Sequence, residues 1–310
     1  MSVAVVSDST AYLPPDLIAR YGIEVVPLYV VLAGHSGREG EDISPADVAR
    51  ALTTRGQHVS TSRPTPGDFV GAYRRRLDAG ADRLVSVHLS AELSGTWDAA
   101  RLAAGQVGEH IVTVVDSRSA AMGTGFAVLA AARAAAAGAD AGTVAAVARR
   151  TAAATRTLFV VDTLEHLRRG GRIGSAASVL GTALAVKPVL HVADGRVVPL
   201  EKVRTSGRAL ARLVQRGVEA AADGPVAVAV HHLAAPERAE RLADELRERV
   251  PDLRELYVSE LGAAIGAHVG PGAVGIVVAP APDDPPQSGD DSARRGDDPS
   301  QPGDGAAPGG

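Results

Sequence analysis

The sequence predicts an α/β protein of two domains, the first built on a mostly parallel sheet covered by helices and the second of α+β type. Three observations carry this. Within residues 1–155, short β-branched runs alternate with Ala-rich helical stretches in the order β, α, β, α, α, β, α, β, α, and such alternation calls for parallel strands joined by crossover helices. Within residues 156–280, Asp194-Gly195 lies between two apolar runs as a hairpin turn, mixed with further βα units. Residues 281–310 consist largely of Pro, Gly, Asp and Ser with no large apolar side chain; they cannot offset their own ordering entropy and read as a disordered tail.

Taken in order, Val3–Ser7 is a buried-type strand running into Asp8-Ser9-Thr10, a helix cap or loop fastener. A helix follows near Pro15–Arg20, and Glu24–Leu32 reads as a second strand in which Pro27 marks an edge or bulge. Ser44-Pro45-Ala46-Asp47 and Thr65-Pro66-Gly67-Asp68 are helix starts, each with a capping hydroxyl, a proline at the first position and an acid in the first turn. Between them, Ser60–Pro64 is hydroxyl-rich and extended. Leu84–Leu89 is a strand, a helix opens near Thr96, and His110–Val115 is a strand ending in Asp116-Ser117. Ala-rich helices at 119–137 and 141–154 complete the first domain. The second domain reads as strand Leu158–Val161, a short helix within Leu164–Ile173, the hairpin Lys187–Val192/Arg196–Val203, helix Ser206–Ala222, strand Val226–His231, helix Pro236–Val250, and strands Leu253–Val258 and Ala273–Ala279. Leu261–Pro271 sets His268 among glycines.

Composition bounds the function. The chain is 45% hydrophobic but only 3% aromatic, so Ala, Val and Leu must fill its core. It has no cysteine, which removes disulfides and thiolate metal sites. The tail contributes −5 to the net charge of −4, leaving the other 280 residues at about +1, so nothing points to nucleic acid. The N-terminus lacks a signal-peptide pattern and the most apolar helix carries Arg133; the expectation is a cytoplasmic protein without membrane insertion.

The turn Ser90–Thr96 is the first candidate site. It joins a strand to a helix, so it aims free N–H groups and the positive end of a helix dipole at one point, while Gly95 lets the backbone approach a ligand. Two readings stay open at this level: an anion site, or an ordinary βα loop with Ser94 as N-cap. The nine histidines lack metal-ligand spacing, and His231-His232 read as structural. No GxGxxG follows the first strand and no P-loop occurs. Ser94 and His268 form a candidate nucleophile–base pair, but without GxSxG or a placed orienting acid.

Seven motifs in order, DST near the start, TSRPTPGDF (61–69), LSGTWDAA (93–100), VDS (115–117), LRRGGRI (167–173), KVRT (202–205) and GAHVGPGAVG (266–275), resemble the DegV family of bacterial fatty-acid-binding proteins, which includes the binding subunits of fatty acid kinase. The likeness spans residues 1–279. Arg63 and Thr65 depart from the family's usual TSQPS, and Trp97 from its usual Tyr or Phe. The resemblance implies a ligand buried between domains 1–155 and 156–280: one long-chain fatty acid such as palmitate. Thr61 and Ser94 would bond its carboxylate beside Gly95, with Arg172 and His268 completing the polar network. It implies no catalytic residue, no metal and no cofactor beyond the ligand, and a fatty acid kinase catalytic subunit as partner. The basic residues of LRRGGRI and KVRT, Arg172 and Arg204 above all, would meet that partner. A lipid sensor or store without a kinase, and a Ser94-dependent esterase or acyl-transfer enzyme, are the alternatives.

Overall fold

The structure, a computed structural model, describes residues 1–179 and 186–281; the tail expected to be disordered lies, but for Ala281, outside the described residues. β1 (Val3–Asp8) passes through a single 3-10 turn to α1 (Pro15–Tyr21) and returns as β2 (Glu24–Val26). Here the structure corrects the reading of Glu24–Leu32 as one strand. Pro27 has no N–H to continue the ladder, and after it the chain leaves for a second sheet as β3 (Tyr29–Leu32). β3 forms a hairpin with β4 (His35–Arg38), closed by Ala33-Gly34, both at positive φ. α2 (Pro45–Thr53) begins with a capping box between Ser44 and Asp47. β5 (Val59–Ser62) is the hydroxyl-rich extended segment; it pairs antiparallel with β3, setting Thr61 opposite Val30. A second capping box, Thr65 with Asp68, starts α3 (Pro66–Asp78). β6 (Arg83–His88), α4 (Thr96–Val107), β7 (Val112–Asp116), α5 (Met122–Ala136) and α6 (Ala141–Ala154) then follow.

The first sheet has the order β2-β1-β6-β7 and is parallel throughout, as the alternation predicts. The second half contributes β8 (Arg156–Val160), α7 (Glu165–Arg169), β9 (Lys187–Ala193), β10 (Arg196–Val203), α8 (Ser206–Ala220), β11 (Val226–His232), α9 (Pro236–Arg249), β12 (Leu253–Glu260), α10 (Ala263–Val269) and β13 (Val274–Pro280). Its sheet runs β10-β9-β8-β13-β11-β12, with β11 and β12 parallel and the other neighbours antiparallel. Asp194 and Gly195, both at positive φ, make the expected turn between β9 and β10.

α5 is buried almost all round because it lies between the two sheets. Its Phe126, Ala127 and Ala131 share one apolar cluster with Val5, Val85 and Val115 of the first sheet and with Ala227, Ala229 and Val277 of the second. Small side chains permit this. A Cβ on Gly125 would overlap the Ala11 carbonyl and Met122, and one on Gly123 would overlap the Ser119 and Thr157 hydroxyls. α8 and α9 cover the opposite face of the second sheet.

α10 crosses back from the second half onto the three-stranded sheet: Ala263, Ala264 and Ala267 pack with Leu28, Val30, Ile43 and Val48. A buried carboxylate fastens that contact. Glu39, just after β4, accepts from Ala264 N at 2.8 Å, from Tyr12 OH at 3.0 Å and from Ser9 Oγ. Tyr12 OH in turn accepts from Ile265 N at 3.2 Å. Replacing Glu39 with Ala leaves these buried donors without their acceptor, and is expected to cost about 3 kcal/mol of unfolding free energy in urea titration; a loss below about 1 kcal/mol would show the tie to be dispensable.

Candidate functional site

Parallel pairing puts the ends of β1, β6 and β7 on one rim, and with them Asp8-Ser9-Thr10, Ser90–Thr96 and Asp116-Ser117. Much of this rim is fastening. Asp8, wholly buried, accepts from Thr10 N (3.1 Å) and Leu89 N (3.1 Å), and pairs with His88 Nδ1 (2.9 Å), tying β1 to β6. Asp116 takes Arg118 N at 2.7 Å and Ala91 N at 3.3 Å, fixing the turn that carries Ser94. Gly95, rather than Ser94, is the N-cap of α4; Ser94 Oγ instead lies 2.8 Å from Thr96 Oγ1 and accepts from Thr96 N at 3.3 Å.

Beyond this rim, and against the inner face of the second sheet, lies a cavity of about 920 Å³, its open mouth included. Leu28, Leu93, Phe159, Val197, Ile265 and Val277 are among its apolar walls, and α10 forms one side. Thr61, Ser94, Arg172 and His268 all line it, so the structure brings together four of the residues singled out in the sequence. Three of them, Thr61, Arg172 and His268, also line an adjoining polar cleft with Ser60, His58, His166 and Arg169. They therefore form a neck between an apolar chamber and a polar one.

The neck has defined bonds. His268 Nε2 lies 2.9 Å from Thr61 Oγ1, while Nδ1 is buried with no partner among the described residues. A buried N–H without an acceptor is the costlier arrangement, which assigns the proton to Nε2. Nε2–H then donates to Thr61, and the Thr61 hydroxyl proton is free for a ligand. Burial, and then the charge of Arg172, pushes the His268 imidazole down to about 4, so it is neutral at pH 7. Arg172 donates from Nε to Leu93 O at 2.9 Å and from Nη1 to Gly170 O at 2.5 Å. One guanidinium is thus tied to the Ser94 turn.

Several neighbours escaped the sequence reading. A Cβ on Gly170, the C-cap of α7, would overlap the His268 ring; one on Gly270, the C-cap of α10, would overlap the ring of His166. The two helices interlock, each glycine seating the other's histidine. The juxtaposition of Gly with His-bearing helices in LRRGGRI and GAHVGPG was the available signal. His231, read as structural, also lines the cavity; its Nε2 accepts from Met122 N at 3.2 Å, and burial lowers it to about 4. At Gly95 the close approach is made by the Arg63 guanidinium.

Other expectations separate. Arg204 is exposed just past β10 and makes no ion pair among the described residues. The register Val203–Lys187 and Val189–Val160 sets it at the same end of the sheet as α7, without bringing it into the neck. Arg168 and Arg169 are both paired with Glu165, so the basic rim is partly neutralised. Ser94 and His268 are not bonded as a nucleophile–base pair: Ser94 meets Thr96 and His268 meets Thr61. No cluster of three or more His, Cys, Asp or Glu able to hold a metal occurs among the described residues, and no described helix is long and apolar enough to cross a membrane.

Comparison with known proteins gives a consistent set of likenesses. The model of the family described as "Uncharacterised protein, DegV family" matches residues 2–281. A DegV domain-containing protein of Streptomyces coelicolor is 53% identical over 276 residues, 89% of this chain and 98% of its own. A solved DegV family protein from Thermus thermophilus, described by its fatty acid binding, superposes with a TM-score of 0.86 at 36% identity, covering 91% of this chain and all of its own. DegV of Bacillus subtilis, a fatty acid binding protein, does so at 0.82 and 34%, with 91% and 100% covered.

The neutral His268 sets a pH dependence. Its pKa is lowered from 6.5 to about 4 on folding, so between those values the unfolded chain takes up a proton that the folded chain does not, and stability falls as pH drops through the window. His268→Asn should show a shallower loss of thermal stability than wild type between about pH 7 and about pH 4.5. Identical slopes would show that His268 is not held neutral.

Proposed function

The chain belongs to the DegV family, and we propose that it binds one long-chain fatty acid, such as palmitate, in the apolar cavity, acting in the cytoplasm as a carrier rather than an enzyme. The observation that carries this reading is the neck: an apolar chamber with Ser94 in its wall closes on the Thr61 hydroxyl, a neutral imidazole and a single guanidinium, then opens to a polar cleft. That sequence of environments matches a molecule with one long apolar chain and one carboxylate. Each buried methylene contributes about 0.8 kcal/mol, so a sixteen-carbon chain gains roughly 10 kcal/mol before ordering costs. Thr61 and Ser94 bond the carboxylate, with His268 setting the direction of the Thr61 hydroxyl and Arg172 supplying the countercharge; charged hydrogen bonds add about 1.5–3 kcal/mol each.

With its carboxylate at the neck, the bound acid faces the polar cleft. A separate ATP-dependent kinase working there transfers the terminal phosphoryl group of ATP to a carboxylate oxygen, giving acyl phosphate and ADP, and the carrier holds both acid and product. Arg204, exposed and without an ion pair among the described residues, belongs to the surface that meets the kinase.

Two measurements test this. Protein purified from a bacterial host should release a stoichiometric long-chain fatty acid on denaturing extraction, seen by mass spectrometry. Thr61→Ala and Ser94→Ala should retain most of it while slowing acyl-phosphate formation, because chain burial dominates the energy; well-folded protein without acyl chains would overturn the binding reading. Separately, Arg204→Glu with its lipid content intact should lose kinase-dependent acyl-phosphate formation. Unchanged activity of that variant across a salt series would remove Arg204 from the docking surface.

A further inference from the structure

The turn that carries Ser94 is bracketed by two guanidinium groups. On one side Arg172 Nε donates to Leu93 O at 2.9 Å. On the other, Arg63 lies so close over Gly95 that a Cβ there would overlap its Nη1 and crowd its Cδ. The two arrive from different parts of the fold, Arg63 from just past β5 and Arg172 from the segment after α7. Arg172 belongs to the neck, whereas Arg63 is exposed and makes no ion pair among the described residues. The nearby acids in sequence are otherwise engaged or set in a helix. Glu92 is paired with Arg196 at 2.7 Å, Asp68 accepts from Thr65 in its capping box, and Asp98 lies in the first turn of α4. A second cation, outside the lining of both the cavity and the cleft, thus lies one residue from Ser94, and one carboxylate in the neck does not need it.

We propose that Arg63 is a specificity residue for a dianionic head group, taking the phosphate of a bound acyl phosphate while the neck keeps the acyl end. The inference rests on the fatty-acid reading above. A carboxylate carries one charge, which Arg172 matches. A phosphate on that carboxyl group adds charge and sets it farther from the chain than the carboxylate, within reach of the long, exposed Arg63 side chain one residue from Ser94. A guanidinium suits that group better than an ammonium, because its planar fork can bond two phosphate oxygens at once. The positive end of the α4 dipole adds to the same field. Arg63 thereby favours the phosphorylated ligand over the free acid and leaves the grip on the chain unchanged.

The test compares delipidated full-length wild type with Arg63→Gln and Arg63→Lys, using palmitate and hexadecyl phosphate as probes. Arg63→Gln should weaken hexadecyl phosphate binding by about fivefold, the upper end for an exposed ion pair, and the difference should shrink as salt rises. Palmitate affinity should stay within about twofold of wild type, since an exposed charge away from the chain supplies little to it. Arg63→Lys, which keeps the charge without the fork, should recover part of the loss. Equal effects on both probes, or none on either, would overturn the assignment. So would tighter wild-type binding of palmitoyl lysophosphatidate than of hexadecyl phosphate, because its glycerol spacer carries the phosphate farther from the chain. If wild type bound hexadecyl phosphate but no palmitate, the fatty-acid reading itself would fall, and this inference with it.

Discussion

On the carboxylate of Glu39 three distant stretches of chain converge. Ser9 and Tyr12 come from the turn after β1, Glu39 itself from the end of β4, and Ala264 from the start of α10. Burying a carboxylate is costly, and its burial raises the Glu39 pKa; the donors of Ser9, Ala264 and Tyr12 pull the other way and keep the ionised form tolerable. α10 spans Ala263–Val269, too short to persist without tertiary support, so it depends on this tie at one end and on the Gly170–His268 and Gly270–His166 interlock at the other. Since α10 both walls the cavity and carries His268, the geometry of the neck follows from how its two ends are held.

That geometry gives the neck one formal charge where two cationic side chains lie close. A protonated His268 beside Arg172 would be desolvated and repelled, and the imidazole avoids both by staying neutral. Neutrality also fixes a direction: Nε2–H points at Thr61, so the Thr61 hydroxyl has its own proton left to give. A low-dielectric neck strengthens the pairing of Arg172 with a single anion. The preference for one anion that we propose for the neck is therefore electrostatic as much as steric.

The sequence made the sheets legible where local chemistry decides them. Alternation located β1, β6 and β7, Asp194-Gly195 located the β9–β10 hairpin, and hydroxyl–Pro–acid signatures located α2 and α3. It did not announce β4, whose His35–Arg38 has no apolar alternation and exists because the Ala33-Gly34 turn folds it onto β3. Nor did it show Leu261–Pro271 as helical: glycines at 262, 266 and 270 look like loop, yet Gly262 and Gly270 cap the helix and Gly266 lies within it, where it lets Leu233 approach closely. The neck was invisible to spacing. Thr61 and His268 lie 207 residues apart, and only a family resemblance pointed to both. The bracket of Arg63 and Arg172 had no local signal at all, since it depends on how two separate segments meet over one turn.

With few aromatic side chains, Ala, Gly and Val dominate the contact between the sheets, and α5 draws those sheets together through its small residues. At the strand ends beyond α5, larger apolar side chains, Leu28, Leu93, Phe159 and Ile265 among them, line the apolar chamber. Unfilled apolar volume costs a fold about 24 cal/mol per Å³, so any ligand able to fill it stabilises the native state as well as binding to it. Chain burial and folding thus draw on the same surface, while the head-group contacts at the neck lie apart from it. An acyl chain in the chamber would leave its carboxyl end at the neck, open to the cleft, which is the division of labour the proposed carrier requires.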